Sequence, residues 1–310
     1  MNECGSGLKA RTWFMAALLV ALMAGCGSRD EIFGDTGGAG SGPVGSGDPG
    51  PAGPAPDLGS ADSFGISATA GVTNTPTAPI THINGDVLLD PNQTCNAVVI
   101  DNAGGFGLCN GSPPTIDGTV VSGLFNPGTP LATVQADLNA AFLDITPPAG
   151  PPAAGSLGGA IDIPAGTTLG EPTGSALVQG DNYFVPGLYQ SLTSILITGD
   201  LTLDAQGDAS KVFIFQSSST TGTASGARIL LVNGARASNV FWQVATSATL
   251  GTNSVWQGNI LAANSITMNT GATSCGRLMA GAWVGGGGAF VFDSNVVSVP
   301  GHPNAPAGCQ

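Results

Sequence analysis

The sequence predicts a mainly β fold, a solenoid of stacked strands with one helix alongside, and three observations carry that prediction. A short apolar-Thr-apolar unit recurs through 239–295. Ile195-Leu196-Ile197, Leu201-Thr202-Leu203-Asp204, Val212-Phe213-Ile214-Phe215 and Ile229-Leu230-Leu231-Val232 have the near-continuous apolar character of parallel, buried strands. One stretch alone, 131–145, carries a strong helical spacing.

The repeat defines the unit. Leu250-Gly251-Thr252-Asn253, Met268-Asn269-Thr270-Gly271 and Phe292-Asp293-Ser294-Asn295 occupy equivalent places in successive copies. The first two copies lie 18 residues apart, so Phe241, Gln243 and Thr249 recur as Asn259, Leu261 and Thr267; the third lies 24 further on, with 281–288 supplying the extra length. Units repeated at such a period stack because none can bury its apolar side alone. Ala248, Leu250, Ile266, Met268, Phe290 and Phe292 alternate with Thr249, Thr267 and Val291 at period two, which places one set inward and the other outward on strands. Outward residues of adjacent coils then form ladders at the strand separation of about 4.7 to 4.9 Å. Thr249 is expected above Thr267, and Thr252 above Thr270 and Ser294, with Val291 and Asp293 breaking the lattice in the third coil. A flat, stiff lattice of neutral hydroxyls and methyls can order water and is poorly suited to acid-base chemistry.

At the N-terminus, Lys9 and Arg11 precede the apolar run 13–23, which is too short for a membrane span and reads as a cleaved export signal. Leu22-Met23-Ala24-Gly25-Cys26 resembles a bacterial lipoprotein processing box, making 1–25 the signal peptide and Cys26 the lipidation site. Several acyl chains anchor a protein stably where one does not. Gly27, in place of an acidic retention signal, favours the outer membrane or cell surface. Residues 26–62 are rich in Gly, Pro, Ser and Asp and bury too little apolar surface to offset chain entropy, so they read as a disordered tether. Gly40-Ser41-Gly42-Pro43-Val44-Gly45 fits a dinucleotide fingerprint, but no strand precedes it and Pro43 breaks any helix after it, so no cofactor is expected.

Residues 63–300 are expected to form one solenoid domain, with 301–310 as a C-terminal tail. Its first part, 71–90, reads as short strands broken by Asn84-Gly85 and Pro91. Thr129 can then cap a helix with Pro130 at its first position, and Leu131, Val134, Leu138, Ala141, Phe142 and Ile145 form its apolar stripe before Pro147-Pro148 stops it. A lone amphipathic helix must bury that stripe, and the open side of the solenoid is the available partner. After a turn-rich stretch, 150–172, the apolar strands begin. The chain therefore enters the sheet early, leaves it for the helix and rejoins it. Cys95, Cys109, Cys275 and Cys309 are an even set in an exported chain, and local pairing of Cys95 with Cys109 and of Cys275 with Cys309 is the simplest connectivity. Their spacings are not ligand spacings and His82 and His302 lie far away, so no metal is expected. A net charge of −13 with 7 Lys and Arg repels polyanions and excludes nucleic acid as a partner.

With these segments in view, the chain resembles the microbial ice-binding protein family. The resemblance rests on Ile83-Asn84-Gly85-Asp86, on 198–205 (Thr-Gly-Asp-Leu-Thr-Leu-Asp-Ala), on Val212-Phe213-Ile214-Phe215-Gln216 and on 227–233. It continues through Asn239-Val240-Phe241-Trp242-Gln243-Val244, Gly258-Asn259-Ile260-Leu261 and Asn269-Thr270-Gly271-Ala272, covering about 64–299. It implies a discontinuous right-handed parallel β-helix with one long α-helix packed alongside, in an exported protein that adsorbs to ice from one flat solenoid face. Thr270-Gly271-Ala272-Thr273 fits the Thr-small-x-Thr pattern of some members, and Thr249-Leu250-Gly251-Thr252 fits it with Leu250 in place of the small residue.

The function expected is thus that of a lipid-anchored ice-binding protein acting as a monomer, with Thr249, Thr252, Thr267 and Thr270 at the ice surface, Asn269 and Ser294 at its margin, and Thr202 as a distant candidate. The alternative is a cell-surface adhesin or structural lipoprotein, binding glycans or neighbouring cells through aromatic platforms such as Trp242, Trp256 or Trp283. An enzyme is not expected. Glu171 is the sole Glu of the domain, Asp200, Asp204 and Asp208 lie at turn-like intervals suited to turn chemistry or calcium, and no Gly-x-Ser-x-Gly or His-Glu-x-x-His is present.

Overall fold

The computed structural model describes residues 54–100, 107–123, 131–147, 160–283 and 287–310. The segments expected as signal peptide and, for the most part, tether lie outside the described residues, as do Cys26 and the expected helix-capping pair Thr129 and Pro130.

Among the described residues, three sheets of nine strands each run the length of the domain, named here A, B and C in the order in which the chain visits them. One coil is, for example, Val240–Val244 in A, Ala248–Leu250 in B and Val255–Gln257 in C. Coils pair in parallel, with Phe241 opposite Asn259, Gln243 opposite Leu261 and Thr249 opposite Thr267, the spacing of 18 that the repeat implies. This is a parallel β-helix with a helix beside it. Its interior is apolar and partly aromatic. Tyr189, Phe215 and Trp242 stack from coil to coil, with ring centroids 5.2 and 4.1 Å apart, and Trp256 tilts against Trp242 at 4.8 Å. The two indole N–H groups are satisfied by backbone, Trp242 donating to Gln257 O and Trp256 to Gly258 O. Burial raises the Tyr189 phenol to a pKa of about 12.

Chain order and spatial order part company at the N-terminus. Phe64–Ala68, Val72–Thr75 and His82–Asn84 stack directly onto Leu278–Ala280, Phe290–Asp293 and Val296–Ser298. The first coil thus follows the last, and Asp86–Leu89, Thr94–Cys95 and Ser112–Asp117 extend the stack beyond it. The chain leaves sheet A at one edge, Val120–Val121, and re-enters it at the opposite edge, Ile161–Asp162. Between them runs α1, Leu131–Asp144. At 1.5 Å per residue it is about 21 Å long, roughly half the stack of nine strands. Val134, Leu138, Ala141, Phe142 and Ile145 pack on Leu88, Leu188, Ile214, Phe241, Leu261 and Met279, on the outward face of sheet A. Phe142 is fully buried there. Phe142→Ala should therefore cost about 3–5 kcal/mol, read as a fall in denaturation midpoint at unchanged slope.

The ordered fold starts before the composition break at 62. Leu58 and Ala61 are buried against the α1 cluster, Gly59–Ser63 forms a 3-10 turn, and Ser60 donates to Asp137, whose carboxyl those bonds hold below its usual pKa. Asp62 pairs with the largely buried Arg277 at 2.9 Å. At the other terminus the tail lies on sheet C, pinned by the disulfide between Cys275 and Cys309. Cys95 pairs with Cys109 across the hairpins that end the stack.

Candidate functional site

Sheet A is covered by α1 and sheet C in part by the tail, which leaves the outward surface of sheet B. Its order is Thr168–Leu169, Ile195–Ile197, Thr221–Thr223, Ala248–Leu250, Ile266–Met268, Phe290–Asp293, Val72–Thr75, Thr94–Cys95 and Val98–Val99. The pairing aligns Thr168, Leu196, Gly222, Thr249, Thr267, Val291 and Thr73 in one outward row. Their strand neighbours Ala248, Leu250, Ile266, Met268, Phe290 and Phe292 are fully buried, which fixes the direction of the row. Polar side chains flank it. Ser194 and Thr220 share a hydrogen bond of 2.8 Å on one side, and Asn269 and Thr75 are exposed on the other, where Thr75 lies opposite Asp293.

Of the residues named from sequence, Thr249 and Thr267 are adjacent and outward as expected, with Asn269 exposed beside them. Thr252 and Thr270 sit at the corner where sheet B turns into sheet C; Thr270 is exposed and its hydroxyl donates to Asp293 Oδ2. Ser294 does not join them. Thr267 lies opposite Val291 but Thr273 opposite Val296, so the third coil is one residue shorter between those points. Ser294 takes the turn in a left-handed conformation (φ 56°), is 6% exposed, and donates its hydroxyl to Thr77 O. Thr202 belongs to sheet C, opposite Leu230, and is buried.

Thr73 in the row and Thr75 on its flank are the residues of this surface that the repeat could not reveal. They form an outward pair on one strand, with Asn74 turned inward. The signal was their alternation with Val72 and Asn74, but only the stacking of the first coil on the last brings them beside Val291. Thr168 is similarly exposed at the far end of the row.

The other candidates are occupied elsewhere. Asp200 holds Arg228 through two contacts of 2.8 and 2.6 Å, which lower the Asp200 pKa. Asp204 accepts from Tyr183 and Asn233, and Asp208 from Ser210. These partners are separate, so the three carboxylates do not converge on one point. Trp242 and Trp256 are fully buried and Trp283 packs against the α1 cluster, so none of them offers a flat exposed ring.

Residues 66–285 match the model of the ice-binding-like family. The chain is 34% identical to an ice-binding protein of Nostoc sp. (strain HG1) over 242 residues, 78% of this chain and 73% of that protein. It is 31% identical to one from Flammulina populicola over 255 residues, 80% and 90% of the two chains. Among solved structures, the ice-binding protein of the Antarctic ascomycete Antarctomyces psychrotrophicus superposes with a TM-score of 0.60 at 34% identity, covering 80% of this chain and 98% of that one. With this match spanning most of the solenoid, the chain belongs to the ice-binding-like family.

Proposed function

We propose that the protein is an exported, lipid-anchored ice-binding protein that adsorbs to ice through the outward surface of sheet B, with Thr249, Thr267 and Thr73 at its centre. The observation that carries this is the in-register row of neutral side chains on stiff strands paired on both sides. The naming of its relatives as ice-binding proteins supports the same reading. Adsorption is then the sum of many weak contacts and ordered waters, and the rigidity of the coils limits the entropy lost on binding. One copy suffices, because the row lies within a single chain.

Thermal hysteresis of the purified domain, together with its uptake into a growing ice hemisphere, tests the reading. A protein showing neither would leave the adhesin alternative, which the burial of Trp242 and Trp256 already weakens.

The anchor is a separate part of the proposal and rests on the processing box before Cys26. Cys26→Ala should move the protein from membrane to soluble fractions. Unchanged membrane partitioning would count against lipidation while leaving the ice reading intact.

A further inference from the structure

Building on sheet B as the ice-contact surface, we propose that Leu196 bounds that surface, confining contact to the four strands Ala248–Leu250, Ile266–Met268, Phe290–Asp293 and Val72–Thr75. The row is even along those strands and uneven beyond them. Thr249, Thr267, Val291 and Thr73 are all β-branched, and Thr and Val have nearly the same shape and a stiff χ1. Val291, which breaks the chemical pattern of the repeat, therefore keeps its height.

Gly222, next in the row, has no side chain, and none fits, because an added Cβ would stand 2.5 Å from the Thr249 carbonyl oxygen. Beyond this trough stands Leu196, 41% exposed, and Leu192 projects from the same coil at 64% exposure. A leucine reaches one carbon further than a threonine, about 1.5 Å. That difference decides the outcome, since a gap of about 0.5–1 Å already forfeits a quarter to a half of a dispersion contact. A crystal plane resting on Thr249, Thr267, Val291 and Thr73 cannot also meet Thr168 on the far side of Leu196. Thr168, exposed in the row, and Thr198, exposed just past the strand Ile195–Ile197, then lie outside the contact area.

The test compares Thr73→Tyr, Thr168→Tyr, Leu196→Thr and Leu196→Val in the full chain, measuring thermal hysteresis at equal concentration and the melting temperature of each. Thr73→Tyr should lose most of the hysteresis, Thr168→Tyr should match the parent, and both leucine variants should keep at least the parental value. A loss in Thr168→Tyr equal to that in Thr73→Tyr overturns the boundary. So does a fall in both leucine variants at unchanged melting temperature, which would make Leu196 itself a contact. A parent without hysteresis overturns the ice reading and the boundary together, whereas an active parent with either of those results overturns the boundary alone.

Discussion

Thr267→Tyr should remove most ice adsorption while shifting the melting temperature by no more than about 1–2 °C, the equivalent of about 0.5 kcal/mol for an outward substitution in a domain of this size. Thr267 lies between Thr249 and Val291, in the middle of the even part of the row. A tyrosine there raises a ring above the plane, and the neighbouring contacts on both sides weaken together because each falls off within a fraction of an ångström. The backbone pairing of Ile266–Met268 is untouched, since the strand's own amides and carbonyls make the ladder. Hysteresis and ice uptake measured beside a melting curve separate the two effects. A Tyr variant that melts and adsorbs like the parent would place the active surface elsewhere on the solenoid.

The coils at the C-terminal end were legible because each repeats its neighbour in sequence order. Alternation alone placed Leu250 and Met268 inside and Thr249 and Thr267 outside. The helix stripe was equally legible, since Val134, Leu138, Ala141 and Phe142 recur at helical spacing and had to find an apolar partner. Two features were not. The row is completed by Thr73, which lies beside Val291 across more than two hundred residues of chain, and no local pattern encodes which coil follows which. The third coil loses its residue before Ser294, which then takes the left-handed corner that Asn253 and Gly271 take in the longer coils, and its hydroxyl bonds there to Thr77 of the first coil, a partner the repeat does not contain. Thr202 shows the remaining limit. Its flanking apolar residues resemble those of sheet B, and only the order of strands around the coil assigns it to sheet C.

Met268→Asp should abolish folding, and it tests the same alternation from the inside. Met268 is fully buried, one residue from Thr267, opposite Leu250 in the adjacent coil. No Lys, Arg or His is among the buried residues described, so an aspartate there would be either an unpaired charge or a protonated acid without a partner. An uncompensated buried charge costs several kcal/mol, a large part of the roughly 5–15 kcal/mol that holds an ordinary domain together. The damage should also spread. Coils in a solenoid are stabilised by their neighbours, so losing Ile266–Met268 removes the support of Ala248–Leu250 on one side and Phe290–Asp293 on the other. Met268→Leu, which conserves volume, should cost less than about 1.5 kcal/mol and keep parental hysteresis. Circular dichroism and chemical denaturation distinguish these outcomes. A Met268→Asp protein with the parental melting curve would mean that Met268 points outward and Thr267 inward, and with that reversal the contact surface assigned to sheet B would fall.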